Sequence, residues 1–319
     1  DVWAGLGATI IPLARDRKPE RAIALERNRE ALETGKLLSE GLGIDWRLGN
    51  PDDALNGLEG SFDVVVGCGP FGMPPRSAEF QVGGRTIALR DDANHLIMLR
   101  AAQLLAPDGV GIFLTASGFA WRRGPQRVVD NLDRFGLHVD AVVALPPGSL
   151  AGTSIGSVLL IVRRQKRDRL FVAELSEATD CDILLGNLRN RREGRVLEYG
   201  LLTTLADFTS LESLRVQREI DKMADRLGYP PTPLQSLLIE VNLTKSKTAD
   251  GFQDLPNSVY LPLIGVRDAC TSITDLEIKA HNYAQLVLDP AQVEAEYIAG
   301  FFNTRLGRMI RESLQRGTT

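Results

Sequence analysis

Along residues 1–165, short β-branched runs alternate with longer segments whose apolar residues recur every three to four positions. RAIALE (21–26), FDVVVG (62–67), GVGIFLTA (109–116), VDAVVALP (139–146) and SVLLIVRR (157–164) predict strands. Residues 27–41, DANHLIMLRAAQLLA (92–106) and PQRVVDNLDRFG (125–136) predict helices. This alternation predicts an α/β fold, doubly wound around a mostly parallel sheet. The last two strands are joined by only PGSLAGTSIG (147–156), too short for a helical crossover, so they must close the sheet as an antiparallel hairpin.

Past the basic run RRQKRDR (163–169), LFVAELS (170–176) predicts one more strand and residues 210–227 a helix. Pro230, Pro231 and Pro233 forbid its continuation and mark a boundary. LQSLLIEVNLT (234–244), SVYLPLIGV (258–266) and YAQLVLD (283–289) predict short strands, followed by one helix over 293–314. That helix would bury Tyr297, Ile298, Phe301, Phe302, Leu306 and Ile310. The expected organisation is a doubly wound α/β domain (1–165), a connector (166–233) and a smaller α+β module (234–319).

Composition narrows the chemistry. Three cysteines and three histidines lie far apart without metal-ligand spacing, so neither a disulfide framework nor a metal site is expected. No apolar run approaches the roughly 18–20 residues of a membrane span, and no leader pattern opens the chain, which predicts a soluble cytoplasmic protein without a membrane partner. A net charge of −4 argues against a uniformly basic nucleic-acid binder but allows a local basic face. The sequence starts at Asp1 and ends in LQRGTT, which suggests a fragment at both ends.

The candidate site lies at the predicted strand ends. DVWAGLG (1–7) brings Asp1, Gly5 and Gly7 to the start of a helix, where a glycine turn lets backbone amides approach a ligand. Glu26 ends the next strand, where a carboxylate can take the diol of a ribose. Asn50, Asp52 and Asp53 in WRLGNPDDAL (46–55) follow a possible third strand, although Asn and Asp there also serve as a helix cap. Ile10 stands where a dinucleotide fingerprint needs its third glycine, which lowers hydride-transfer enzymes. The order of these groups along one sheet edge points to S-adenosylmethionine.

A fourth strand end carries GCGPFG (67–72). Here the chain resembles the N6-adenine DNA methyltransferases, specifically the modification subunit of type I restriction systems. That family has Asp-Pro-x-Cys-Gly-x-Gly at the first strand end and Asn-Pro-Pro-Phe-Gly at the fourth. VDAVVALPPGSLAGTSIGSVLLIVRR (139–164) is similar to its closing hairpin. The resemblance implies that Asp1, Gly5 and Gly7 line the cofactor, Glu26 holds its ribose and Asn50 faces its adenine. It further implies that Phe71 stacks on a flipped target adenine and Pro70 shapes the turn. Flipping is needed because the exocyclic amine is inaccessible in a stacked duplex.

Cys68 and Gly69 depart from the family's Asn and first Pro. A thiol is a weaker acceptor than an amide carbonyl, so the resemblance leaves open an active adenine methyltransferase or a non-catalytic DNA-binding or assembly subunit. Cys68 as a nucleophile, as in cytosine-C5 methyltransferases, is disfavoured because those enzymes use Pro-Cys in another loop; a buried inert thiol fits better. The tail from His281 to Thr319 resembles the end of a target-recognition domain in type I specificity subunits. Double-stranded DNA, with specificity or restriction subunits, would then be the partners. Arg305, Arg308, Arg311 and Arg316, and NRREGR (190–195), could face phosphates, although charged helix faces are commonly just solvated.

Overall fold

The computed structural model describes residues 1–50, 57–69, 73–82, 84–116, 128–146, 148–150, 156–204, 208, 210–228, 230, 232–265 and 267–314. The chain forms two compact units, Asp1–Asp207 and Phe208–Thr319. Among the described residues no helix is long and apolar enough to cross a membrane.

The first unit begins with α1 (Ile10–Arg17), β1 (Ala22–Glu26), α2 (Arg29–Leu38), β2 (Ile44–Leu48) and β3 (Phe62–Cys68). There follow β4 (Pro75–Val82), β5 (Arg85–Asp92), α3 (Ala93–Ala102), β6 (Leu105–Ala116) and α4 (Val128–Arg134). It closes with β7 (His138–Ala144), β8 (Ser157–Arg163), β9 (Leu170–Glu174), α5 (Cys181–Asn190) and β10 (Leu201–Thr203). Six strands order as β10-β9-β7-β8-β6-β3, and β1 pairs with β2 in parallel. β3 runs parallel to β6, whereas β8 inserts antiparallel between β6 and β7, as the short 147–156 connection required. Residues 1–4 bridge the two sheets: the Asp1 carbonyl accepts from Leu25 N at 2.9 Å, and Val2 N donates to the Val66 carbonyl at 3.1 Å.

Local sequence explains these elements. Asn28 caps α2 by accepting from the amides of Glu30 and Ala31. α3 buries residues around nearly its whole circumference, from Ala93 through His95 and Leu96 to Leu99 and Ala102, because β3 and β6 pack on it together with the β4–β5 hairpin. That hairpin was not expected; its signal is the alternation flanking Gly83-Gly84, with Gly84 at φ 78°. The helix expected over 92–106 ends at Ala102, and β6 takes over from Leu105, absorbing Pro107 where the β3–β6 register shifts.

Gly35 holds α2 against β2. A Cβ there would lie 2.2 Å from the Trp46 ring, whose Nε1 donates to Ser39 Oγ at 2.9 Å. Gly35→Ala is expected to destabilise the protein by about 1–3 kcal/mol through overpacking, measured by denaturant unfolding.

The second unit contains α6 (Leu211–Leu227), β11 (Leu238–Leu243), β12 (Ser258–Pro262), β13 (Tyr283–Leu288), α7 (Ala295–Asn303) and α8 (Arg305–Leu314). Its strands form an antiparallel sheet, β11-β13-β12, against which Ile298, Ala299 and Phe302 pack with Val259, Leu286 and Leu288. The expected connector 166–233 is divided between the units: β9 pairs with β7 in the first sheet, and α6 packs on α8 in the second.

The helix expected over 293–314 is broken at Thr304. Its ψ is 164°, and its Oγ1 donates to the Phe301 carbonyl and accepts from Gly307 N, starting a new helix. Tyr297 lies on the face of α7 turned away from Ala295, Ile298, Ala299 and Phe302, so it is 71% exposed rather than in the core. Arg311 is only 4% exposed and donates to the Arg267 carbonyl at 2.6 Å, so it does not face a phosphate. Arg308 pairs with Asp268 at 2.8 Å, Arg305 is exposed, and Arg316 lies outside the described residues.

Candidate cofactor and target-base site

Parallel β1, β2 and β3 present their carboxyl ends along one edge, the place where open α/β sheets bind ligands. Glu26 ends β1, opposite Leu48 in the β2 register, and Asn50 follows two residues later, exposed to solvent. Gly5 and Gly7 lie in the turn between the bridging residues 1–4 and α1, at φ 55° and 92°, conformations that glycine adopts without strain.

Glu26 ties the turn to the strand. Its Oε2 accepts from Gly5 N at 2.9 Å and its Oε1 from Asn28 N at 2.7 Å. Nothing lies within 4 Å of the place a Cβ would occupy on Gly5, so the turn presents open backbone beside the carboxylate. Gly7 is buried, and a Cβ there would meet Ile11 at 2.5 Å. An acceptor next to an unobstructed glycine turn fits a ligand with a diol and a polar tail. Asp1 turns inward instead: its Oδ1 accepts from Trp3 N at 3.1 Å.

Trp3 escaped the sequence reading and connects the first strand end to the fourth. A Cβ on Gly67 would lie 2.9 Å from Trp3 Cε3, and one on Gly69 would lie 3.0 Å from Cε2 and Cζ2. The indole therefore rests on the backbone on both sides of Cys68. Its only signal in the sequence is an aromatic at a variable motif position, next to two glycines far along the chain. Pro70, Phe71, Asp52 and Asp53 lie outside the described residues.

Cys68 ends β3 with an exposed side chain rather than the buried one expected, yet partial desolvation still pushes its thiol pKa up. Such a thiol is protonated at neutral pH and lacks thiolate reactivity. Alkylation of the Cys68 peptide is expected to reach half its maximal rate at a pH above the ordinary thiol value of about 8.5, followed by iodoacetamide labelling and mass spectrometry. A midpoint near neutrality would restore the nucleophile reading.

A cavity of about 480 Å³ opens between α1 and the amino-terminal halves of β1 and β3, lined by Ile10, Ala14, Ile23, Val64 and Val66 among others. It lies away from the Glu26 edge, so the strand-end geometry locates the candidate site better than cavity size does.

The first unit thus has the doubly wound fold of class I S-adenosylmethionine-dependent methyltransferases, with the closing strand inserted antiparallel. No protein-family model matches the sequence, and no curated protein matches it. Among solved structures, the methyltransferase subunit of a type I restriction-modification system from Streptococcus thermophilus matches with a TM-score of 0.50 at 16% identity, over 67% of this chain and 51% of that one. TYW2 of M. jannaschii in complex with AdoMet matches with a TM-score of 0.36 at 17% identity, over 52% and 68%. A TehB-like SAM-dependent methyltransferase from Corynebacterium glutamicum matches with a TM-score of 0.34 at 14% identity, over 51% and 77%. The chain spans about half the length of the type I subunit, and at these identities the likeness is one of fold.

Proposed function

We propose that the chain is part of an S-adenosylmethionine-dependent DNA methyltransferase of the type I modification class, directed to adenine N6 in double-stranded DNA and working with specificity or restriction subunits. The observation that carries this reading is the junction at the sheet edge: Glu26 bonded to the Gly5 turn, and Trp3 joining that turn to Gly67 and Gly69. This junction supports reading Glu26 as a diol acceptor, the Gly5 and Gly7 turn as a cofactor cradle and Cys68 as their neighbour.

In this reading the Gly5 and Gly7 turn receives the polar tail of the cofactor, Glu26 accepts from its ribose hydroxyls, and Asn50 borders its adenine. The bound cofactor supplies an electrophilic methyl group on a sulfonium. Phe71 stacks on the flipped base while the Cys68–Phe71 segment orients the exocyclic amine. Acceptors aimed at the amine stabilise the charge that develops, and here Cys68 supplies only a thiol. The second unit would serve DNA recognition, a role that rests on the sequence resemblance of residues 281–319 to the end of a specificity-subunit domain.

Cys68 also favours a second reading, a non-catalytic relative that binds cofactor and DNA and serves assembly. Incubation with labelled S-adenosylmethionine and mixed-sequence duplex DNA, followed by nucleoside analysis, separates the two. N6-methyladenine supports the first reading, whereas cofactor binding without transfer supports the second. Absence of cofactor binding by a full-length protein overturns both.

A further inference from the structure

The basic runs RRQKRDR (163–169) and RNRREGR (189–195) fold against each other at the opposite edge of the first unit. Arg163 Nε and Arg191 Nη1 grip the two oxygens of buried Asp140 at 3.0 and 3.1 Å. Arg191 also donates to the Arg169 carbonyl, and Arg169 reaches Glu193 at 3.0 Å. The two runs hold nine Lys and Arg against only Asp168 and Glu193, in a chain whose net charge is −4. Burial lowers the pKa of Arg191; Asp140 opposes that shift, and the fields of Arg167, Arg163 and Arg169 add to it. These guanidinium groups therefore share one field. Lys166, Arg167, Arg189, Arg192 and Arg195 are exposed around the anchored pair.

The chemistry of the patch selects its partner. Eight of the nine cations are arginines, whose planar forks match phosphate oxygens better than ammonium groups do. Neither run contains an aromatic ring, so the runs themselves supply no platform for unstacked bases and no aromatic anchor of the kind that dominates protein interfaces. β8 runs from Ser157, paired with Ala116 at the carboxyl end of β6, to Arg163 at the other edge. At about 3.3 Å per residue this separates the patch from the candidate site by about 20 Å.

We propose that residues 163–169 and 189–195 form a docking surface for the phosphate backbone of double-stranded nucleic acid, separate from the edge that would present a target base. The docking surface does not depend on methyl transfer. Arg167 and Arg192 are the residues to reverse, because both are exposed and neither anchors Asp140.

The test compares the full-length protein with its R167E/R192E variant for affinity toward a mixed-sequence duplex across a salt series. The variant is expected to bind at least about tenfold more weakly at low salt, with a log–log salt slope smaller by about 2, while cofactor affinity and thermal midpoint stay unchanged. Unchanged duplex affinity and slope would overturn the proposal and leave the methyltransferase reading intact. Loss of poly-L-glutamate binding without loss of duplex binding would overturn it in favour of an acidic protein partner. Absence of cofactor binding by the unaltered protein would instead remove the methyltransferase reading and leave the docking surface standing.

Discussion

Cys68→Asn is expected to raise adenine methylation of duplex DNA by about 10²–10³, the usual worth of one preorganised polar partner at a developing charge. The substituted amide reaches further than the thiol and supplies a full carbonyl acceptor. Adding Gly69→Pro, which completes the likeness to the Asn-Pro-Pro-Phe motif, is expected to erase part of that gain. Even a single Cβ at position 69 lies 3.0 Å from the Trp3 indole, and a pyrrolidine ring extends further from the same atom. Trimming the indole with Trp3→Ala in the Cys68→Asn, Gly69→Pro background should recover the activity. Labelled methyl incorporation and nucleoside analysis follow the series. If none of the variants transfers methyl while all bind cofactor, the assembly-subunit reading holds. Gly69 and Trp3 then act as a matched pair: the missing proline leaves the space that the indole fills.

Glu26→Ala is expected to weaken S-adenosylmethionine binding by about 10- to 100-fold, since hydrogen bonds to a charged acceptor each contribute about 1.5–3 kcal/mol. The same carboxylate also accepts from Gly5 N and Asn28 N, so the truncation loosens the turn as well as removing the diol acceptor. Glu26→Gln separates the two effects. Its remaining carbonyl can still accept from Gly5 N, but it contributes no charge, so an intermediate loss is expected. Calorimetric titration of cofactor provides the affinities, and unfolding without cofactor reports the turn. Wild-type affinity in Glu26→Ala would remove Glu26 from the site altogether.

Much of this architecture was legible because its causes are local. The β-branched runs at 62–67, 139–146 and 157–164 form strands, and a connection too short for a helix forced β7 and β8 to run antiparallel. The order of Gly5, Gly7 and Glu26 along the chain predicted that they share one sheet edge; that Glu26 accepts from Gly5 N there was not readable from the spacing. The β4–β5 hairpin had a local signal in its glycine pair, flanked by two stretches that pair residue by residue from Val82↔Arg85 to Pro75↔Asp92.

The sequence by itself determined the strand–helix alternation, the closing hairpin and the residues assembled at one sheet edge, since periodicity and chain connectivity act over a few neighbouring positions. Only the tertiary structure decided that Trp3 covers Gly67 and Gly69, that Thr304 divides the last helix, and that Arg311 is buried while two distant basic runs share Asp140. Each of these depends on which side chains meet across strands and helices far apart in the chain, and close packing leaves room for only one arrangement of them.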